Sequence, residues 1–393
     1  EYARLKGYVA RGQWFPAGSA WEESDVNVPS SESLLRQLLL GHTFFKREFG
    51  TESSEFMLPD CFGFPASLPS ILAHCGLKGF TTQKLTWGSA NGVPFNVGRW
   101  EGPDGRSIIA ALNPGNYDAH LTTPLTGEDW VKRLDANGLA SGLKVDYLYN
   151  GNGDEGGAPF DDSLRTLWQG LAAKGPVKVI AGRADLMFEA ITEAQKAKLP
   201  AYKGDLLLTQ HSAGSLTSAA FMKQLNRQDG LLADAAEKAS VAADLLQASP
   251  YPAATLEKAW GLMLRNQFHD ILPGTSLPKA YEYAWNDGLL AARAFEGTLE
   301  DAVGAVARGL DTRVDGVPLV VYNALGIARK DLVEALLPAE LEGEVQVTAV
   351  DASGKALPTQ LTLGPDGRRR VLFLANVPSL GFSVFGLRAG KAP

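Results

Sequence analysis

Three short runs concentrate the side chains that could do chemistry. Leu58-Pro59-Asp60-Cys61-Phe62-Gly63-Phe64-Pro65 sets a carboxylate between an expected strand and an expected helix. Ligands of open α/β sheets gather off the carboxyl ends of strands, which suits Asp60 to a site, although an aspartate there also suits a turn cap. Gly151-Asn152-Gly153-Asp154-Glu155-Gly156-Gly157 matches the G-x-G-x-x-G pattern of dinucleotide loops. Asp154 and Glu155 would repel a pyrophosphate seated on that backbone, whereas they can accept hydrogen bonds from a neutral sugar; a flexible acidic loop is the alternative. Arg265-Asn266-Gln267-Phe268-His269-Asp270 continues through Ile271-Leu272-Pro273-Gly274-Thr275-Ser276. His269 beside Asp270 reads either as a metal-binding imidazole with an orienting carboxylate or as a histidine favoured by a helix C-terminus.

Two further groups are less specific. The acids of Trp21-Glu22-Glu23-Ser24-Asp25-Val26-Asn27 read most simply as solvated loop charges. Trp87, Trp100 and Tyr117 lie in loop-rich sequence, where they could stack on pyranose rings or pack in the core.

The elements that must position these residues change character along the chain. The first residues read as helix. Ser30-Ser31-Glu32 then opens a second helix with hydroxyl caps and an early acid, Leu34, Leu35, Leu38 and Leu39 give it an apolar stripe, and Gly50 closes it. Strands are expected at Phe56–Leu58, Gly79–Thr82, Ser107–Ala110, Asp146–Tyr149 and Val177–Ile180, with helices around Leu68–Cys75, Leu164–Leu171 and Asp185–Lys198. This βαβα rhythm predicts a mostly parallel sheet with helices on its faces. Three long helices, Ser218–Ala248, Ala253–Asp270 and Pro278–Leu310, predict a three-helix bundle. From Val317 onward short strands and turns predict part of a β-sandwich. The expected organisation is thus a multidomain α/β, all-α and all-β chain: residues 1–214, 215–312 and 313–393.

Composition narrows the function classes. The 393 residues are 45% hydrophobic and 21% charged, which argues against disorder. A net charge of -7 leaves a broad polyanion without compensation, so no nucleic-acid partner is expected. No run of 18 apolar residues is present, so no membrane span is expected. Cys61 and Cys75 cannot build a disulfide framework. The chain starts Glu1-Tyr2-Ala3 with neither a signal peptide nor an initiator Met, and is expected to be a cytoplasmic, processed or partial product.

Taken in order, the motifs resemble glycoside hydrolase family 38, the retaining α-mannosidases. The resemblance covers nearly the whole chain. It runs from Asp25-x-Asn27-x-Pro29-Ser30-x-Glu32-Ser33-Leu34-x-Arg36-Gln37 through Leu58-Pro59-Asp60-x-Phe62-Gly63, Thr82-x-Lys84-Leu85-x-Trp87 and Trp100-x-Gly102-x-Asp104-Gly105. It continues with Gly151-x-Gly153-Asp154-x-Gly156-Gly157-x-Pro159, His211-x-x-Gly214-x-x-Thr217-Ser218, Asn266-Gln267-Phe268-His269-Asp270-x-Leu272-x-Gly274 and Val321-Tyr322-Asn323. It implies hydrolysis of terminal α-mannose from mannose-containing oligosaccharides through a glycosyl-enzyme. Asp60 would be nucleophile and metal ligand, His269 a second ligand, and Asp154 the acid/base, with Glu155 beside it. Asp270, Trp87, Tyr117, Glu155 and His211 would meet substrate. The implied cofactor is Zn2+, with two further ligands expected from a His-x-Asp pair upstream of Glu1. None of His42, His74, His120, His211 and His269 is followed two residues later by Asp. The chain as given is therefore expected to be nearly inactive. A non-catalytic glycan-binding or structural fragment, and an NAD(P)-dependent dehydrogenase using residues 151–156, are the rival readings. Homo-oligomerisation is left open.

Overall fold

The structure, a computed structural model, describes residues 1–154 and 156–390. Two compact units form, one from Glu1–Arg227 and Trp260–Leu289, the other from Gln228–Ala259 and Leu290–Pro393.

The first unit opens with α1 (Tyr2–Ala10) and α2 (Ser31–Phe49). Local chemistry sets the limits of α2. The Ser30 hydroxyl accepts from Ser33 N–H at 3.1 Å, Glu32 faces the positive helix end, and Lys46 and Arg47 face the negative one. Gly50 then takes a left-handed φ of 69° and returns its N–H to Lys46 O. Next come β1 (Glu55–Met57), α3 (Leu68–His74), β2 (Gly79–Thr81), β3 (Val97–Glu101) and β4 (Ser107–Ala111). The helices α4 (Glu128–Ser141), α5 (Asp161–Ala172), α6 (Leu186–Ala190) and α7 (Glu193–Lys196) precede β5 (Ala201–Lys203).

The five strands make one sheet in the order β1-β2-β4-β3-β5. Three of its pairings are parallel, and β3–β4 is antiparallel. Its core is aromatic: Phe80 lies 5.2 Å from both Phe64 and Trp100, ring centre to ring centre. Trp100 is fully buried within β3 and donates its indole N–H to Gly204 O at 3.0 Å, so it is a core residue.

Two expected strands do not form. Residues 146–149 and 177–180 carry no strand. Tyr147 instead stacks on Phe188 at 5.5 Å, and Tyr149 bonds the Thr81 hydroxyl at 2.6 Å. Their aromatic side chains are buried by an extended segment lying against the sheet. Strand propensity reports that burial as much as ladder pairing. The predicted helix over 185–198 breaks at Ile191 into α6 and α7.

Three long helices follow, α8 (Ala220–Leu245), α9 (Ala253–Arg265) and α10 (Pro278–Ala307), close to the expected boundaries. Within the second unit, Ala239 and Ala243 of α8 meet Ala302 and Val306 of α10, where small side chains allow close helix approach. The strands are β6 (Val317–Tyr322), β7 (Arg329–Leu336), β8 (Val347–Val350), β9 (Ala356–Leu357), β10 (Thr359–Leu363), β11 (Arg369–Val377) and β12 (Phe382–Ala389). They pair antiparallel as a β10-β11-β7 sheet and a β6-β12-β8-β9 sheet. Phe373 and Val371 of one share a core with Phe385 and Leu387 of the other, as in a sandwich. Among the described residues no helix is long and apolar enough to cross a membrane.

Glu55 on β1 yields a stability prediction. It is fully buried; Oε1 accepts from Gly18 N–H at 2.6 Å and Oε2 has no partner. Burial, aided by the charge of Asp185, pushes its pKa up to about 7. The folded protein therefore keeps a proton that the unfolded chain releases near pH ~4.3. Stability is greatest below that value and falls as pH rises through about 7. Glu55→Gln, which is never charged, is expected to add on the order of 2 kcal/mol at pH 8 and almost nothing at pH 4. Urea unfolding at both pH values measures this, and an equal shift at both would refute it.

Candidate active site

A strap at residues 21–25 holds two distant loops together. Gln37, buried on α2, accepts Glu22 N–H at 3.0 Å and donates to Leu264 O at 2.9 Å. Ser24 bridges Phe268 antiparallel, while Asp25 N–H donates to Gln267 O at 2.8 Å and His269 N–H to Glu23 O at 3.0 Å. Asp25 is 2% exposed and accepts from Val28 N–H at 2.8 Å; Asn27 donates to Gly63 O at 2.9 Å. The acids of this run are therefore not the solvated loop charges expected above. Glu23 is enclosed as well: burial first, then the charges of Glu22 and Asp270, push its pKa up to about 8 against the opposing pull of Lys84.

Asp60 follows β1 closely, and its N–H donates to Glu23 Oε1 at 3.0 Å. Its carboxylate makes no cap. Oδ1 pairs with the Lys84 ammonium, and Oδ2 faces His269 Nε2 at 3.7 Å and the Tyr117 hydroxyl at 3.5 Å. Lys84 is 2% exposed, and its Nζ sits 3.9 Å from the centre of the Trp87 ring. Burial lowers its pKa, while Asp154, Asp270 and Glu23 oppose that shift.

Asp154 reaches the same place from its glycine loop. Tyr117 Oη donates to Asp154 Oδ1 at 2.8 Å, so one phenol spans both carboxylates. Burial, then the bond to Asp154, hold that phenol well above its ordinary pKa. Gly153 makes the arrangement sterically feasible: a Cβ there would fall 1.9 Å from the Tyr117 ring. Asp154 itself takes a left-handed φ of 51°, a region that aspartate tolerates better than most residues. No strand precedes the loop, and α5 begins only at Asp161, so the strand–loop–helix context of a dinucleotide site is missing. Glu155 lies outside the described residues.

His269 and Asp270 follow the end of α9, four residues beyond Arg265, too far for that helix end to account for the imidazole. Burial lowers the His269 pKa, opposed by Asp270, whose Oδ2 is 3.8 Å from Nε2. Thr275 Oγ1 donates to Asp270 Oδ1 at 2.6 Å and fixes the carboxylate. His211 stands at the rim: its ring is 4.8 Å from Trp87 and 5.9 Å from Phe62, and Nδ1 pairs with Ser212 Oγ at 2.8 Å. Burial and Lys84 lower its pKa.

These residues fit a divalent cation. Two donors on one tetrahedral ion at about 2.0–2.2 Å lie roughly 3.3–3.6 Å apart. The 3.7 Å between His269 Nε2 and Asp60 Oδ2 is within reach of that spacing. Glu23, Cys61 and His269 also bring ligand atoms within 4.8 Å of one another. The thiol is a poor donor, because burial drives its pKa well up and it is spent on Ser24 O at 3.1 Å.

Comparison with solved proteins first defines the fold. An alpha-mannosidase from Enterococcus faecalis V583 superposes with a TM-score of 0.75, covering 99% of this chain and 49% of that one at 18% identity. Residues 1–205 match the glycosyl hydrolases family 38 N-terminal domain, and residues 210–306 the alpha mannosidase middle domain. The chain belongs to glycosyl hydrolase family 38. Among curated relatives, it is 32% identical to Alpha-mannosidase 2C1 of Mus musculus over 93% of this chain and 34% of that protein. It is 34% identical to Alpha-mannosidase G of Dictyostelium discoideum over 72% of this chain and 25% of that protein. The chain thus spans about a third or less of the length of these relatives.

The structure brings Asp60, Asp154, Tyr117, His269, Asp270 and Trp87 into one cluster, with His211 at its edge. Sequence reasoning missed Glu23 and Lys84. Lys84 stood inside a quoted motif with nothing local to mark it, and Glu23 looked like one loop acid among several.

Proposed function

We propose that the protein is a retaining α-mannosidase that removes terminal α-mannose from mannose-containing glycans. The observation that carries this is the Tyr117 hydroxyl, 2.8 Å from Asp154 Oδ1 and 3.5 Å from Asp60 Oδ2. Those lengths laid end to end cap the distance between the two carboxylate oxygens. The cap admits the about 5–5.5 Å carboxyl separation of retaining glycosidases.

In this reading the Asp60 carboxylate attacks C1 while Lys84 balances its charge. Asp154 protonates the leaving oxygen and then takes a proton from water, with Tyr117 holding its carboxylate. Asp270, Tyr117, Trp87 and His211 contact the sugar. Asp60 and His269 would hold Zn2+. When bound, the ion supplies Lewis-acid and template chemistry to adjacent sugar hydroxyls. We assign residues 1–214 to the catalytic domain, 215–312 to the helical middle domain and 313–393 to the start of a sandwich domain. The two free cysteines suit a reducing compartment such as the cytoplasm.

The test is the anomer released first from p-nitrophenyl α-D-mannoside by the full-length protein, followed by NMR. α-Mannose is expected. β-Mannose would sink the retaining mechanism, and absence of hydrolysis would sink the mannosidase reading.

A further inference from the structure

The Nδ1 atom of His269 is buried and without a hydrogen-bond partner among the described residues. Glu23 Oε2 faces it at 3.5 Å, about half an ångström beyond an ordinary hydrogen bond. The other oxygen of the same carboxylate already accepts Asp60 N–H at 3.0 Å. Glu23 therefore touches both residues read above as cation ligands, each on the side away from the shared gap. Its main chain holds His269 a second time, through Glu23 O and His269 N–H at 3.0 Å. Cys61, which also lies close to Glu23 and His269, is committed to Ser24 O.

We propose that Glu23 is a positioning residue for the cation site: it fixes the ring tautomer of His269 and the main chain of Asp60 together. The inference rests on the reading of Asp60 and His269 as ligands. A cation on Nε2 takes that lone pair, so the remaining ring proton sits on Nδ1 and points at Glu23. Carboxylates in this relation orient a ligating imidazole and raise its basicity. Glutamine at 23 would reverse the relation. Its carbonyl can still accept Asp60 N–H, but its amide then offers hydrogens to Nδ1. That arrangement favours the tautomer protonated at Nε2, with the metal-facing lone pair blocked.

The experiment uses the full-length protein and zinc alone, with affinity read by competition against a chromophoric chelator. Glu23→Gln is expected to bind zinc about 10–100-fold more weakly, with the Tm of the metal-free protein unchanged. A purely structural role would show the opposite pattern: a lowered Tm and unchanged affinity. Glu23→Asp, which keeps the carboxyl group but is too short to serve both contacts, is expected to lose affinity by a similar factor and covers the case in which Glu23→Gln does not fold. His269→Ala is the control. If it abolishes tight binding while both Glu23 variants bind as the unmodified protein does, the role of Glu23 is refuted and the ligand assignment stands. If His269→Ala also binds normally, the ligand assignment itself falls and the proposal with it.

Discussion

Replacing Asp60 by alanine is expected to lower kcat for p-nitrophenyl α-mannoside by at least ~10⁴-fold, about 5.4 kcal/mol of barrier. Three observations converge on this residue. It stands just past a parallel strand, Lys84 pairs with one of its oxygens, and the other faces His269 and Tyr117. Removing the carboxylate deletes the attacking atom and one proposed cation donor at once, so the loss exceeds that of a residue with a single duty. An activated fluoro-mannoside should leave a covalent adduct on the peptide carrying Asp60. An adduct on any other carboxylate would overturn the assignment.

The second large effect is expected at Asp154. Asp154→Ala should depress turnover of natural glycosides by about 10²–10⁴-fold and spare activated aryl mannosides in the first step, because good leaving groups need little protonation. Azide, which needs no general base, should restore the second step. Gln83 Oε1 accepts Tyr117 N–H at 2.6 Å, so the main chain of Tyr117 stays anchored when Asp154 is shortened. If Glu155→Ala reproduces this leaving-group pattern and Asp154→Ala does not, the acid/base is the neighbouring residue.

How far the fold was legible depended on the length scale of each signal. The three long helices follow from sustained helical periodicity broken at Pro250, Pro252 and Pro273-Gly274. Strands β2 and β4 follow from short apolar runs beside turn residues. Residues 146–149 and 177–180 carry the same local signal, yet they form no ladder: Tyr149 and Val177 are buried without strand partners, while Ile180 is exposed. The site divides in the same way. Asp60, Asp154 and His269 announce themselves through residue type and neighbours. Trp87 and Trp100 look alike in sequence, but one is 38% exposed beside Lys84 and the other is sealed in the sheet. Glu23 and Lys84 gain their roles from partners dozens to hundreds of residues away, which no local pattern records.

The strap at residues 21–25 has a consequence for biosynthesis. Its anchor, Gln37, reaches Leu264 across a separation of 227 residues, and the His269 and Gln267 contacts span similar distances. Closing so large a loop is entropically costly until the intervening chain has folded. On a ribosome that emits the chain from the N-terminus, the Asp60 half of the centre must wait for nearly the whole first unit before its histidine arrives. Until then Glu23, Asp25 and Asp60 lack the main-chain and side-chain contacts that the Gln267–His269 segment brings. Completion of the centre is thus a late event in maturation, timed by the emergence of the loop after α9.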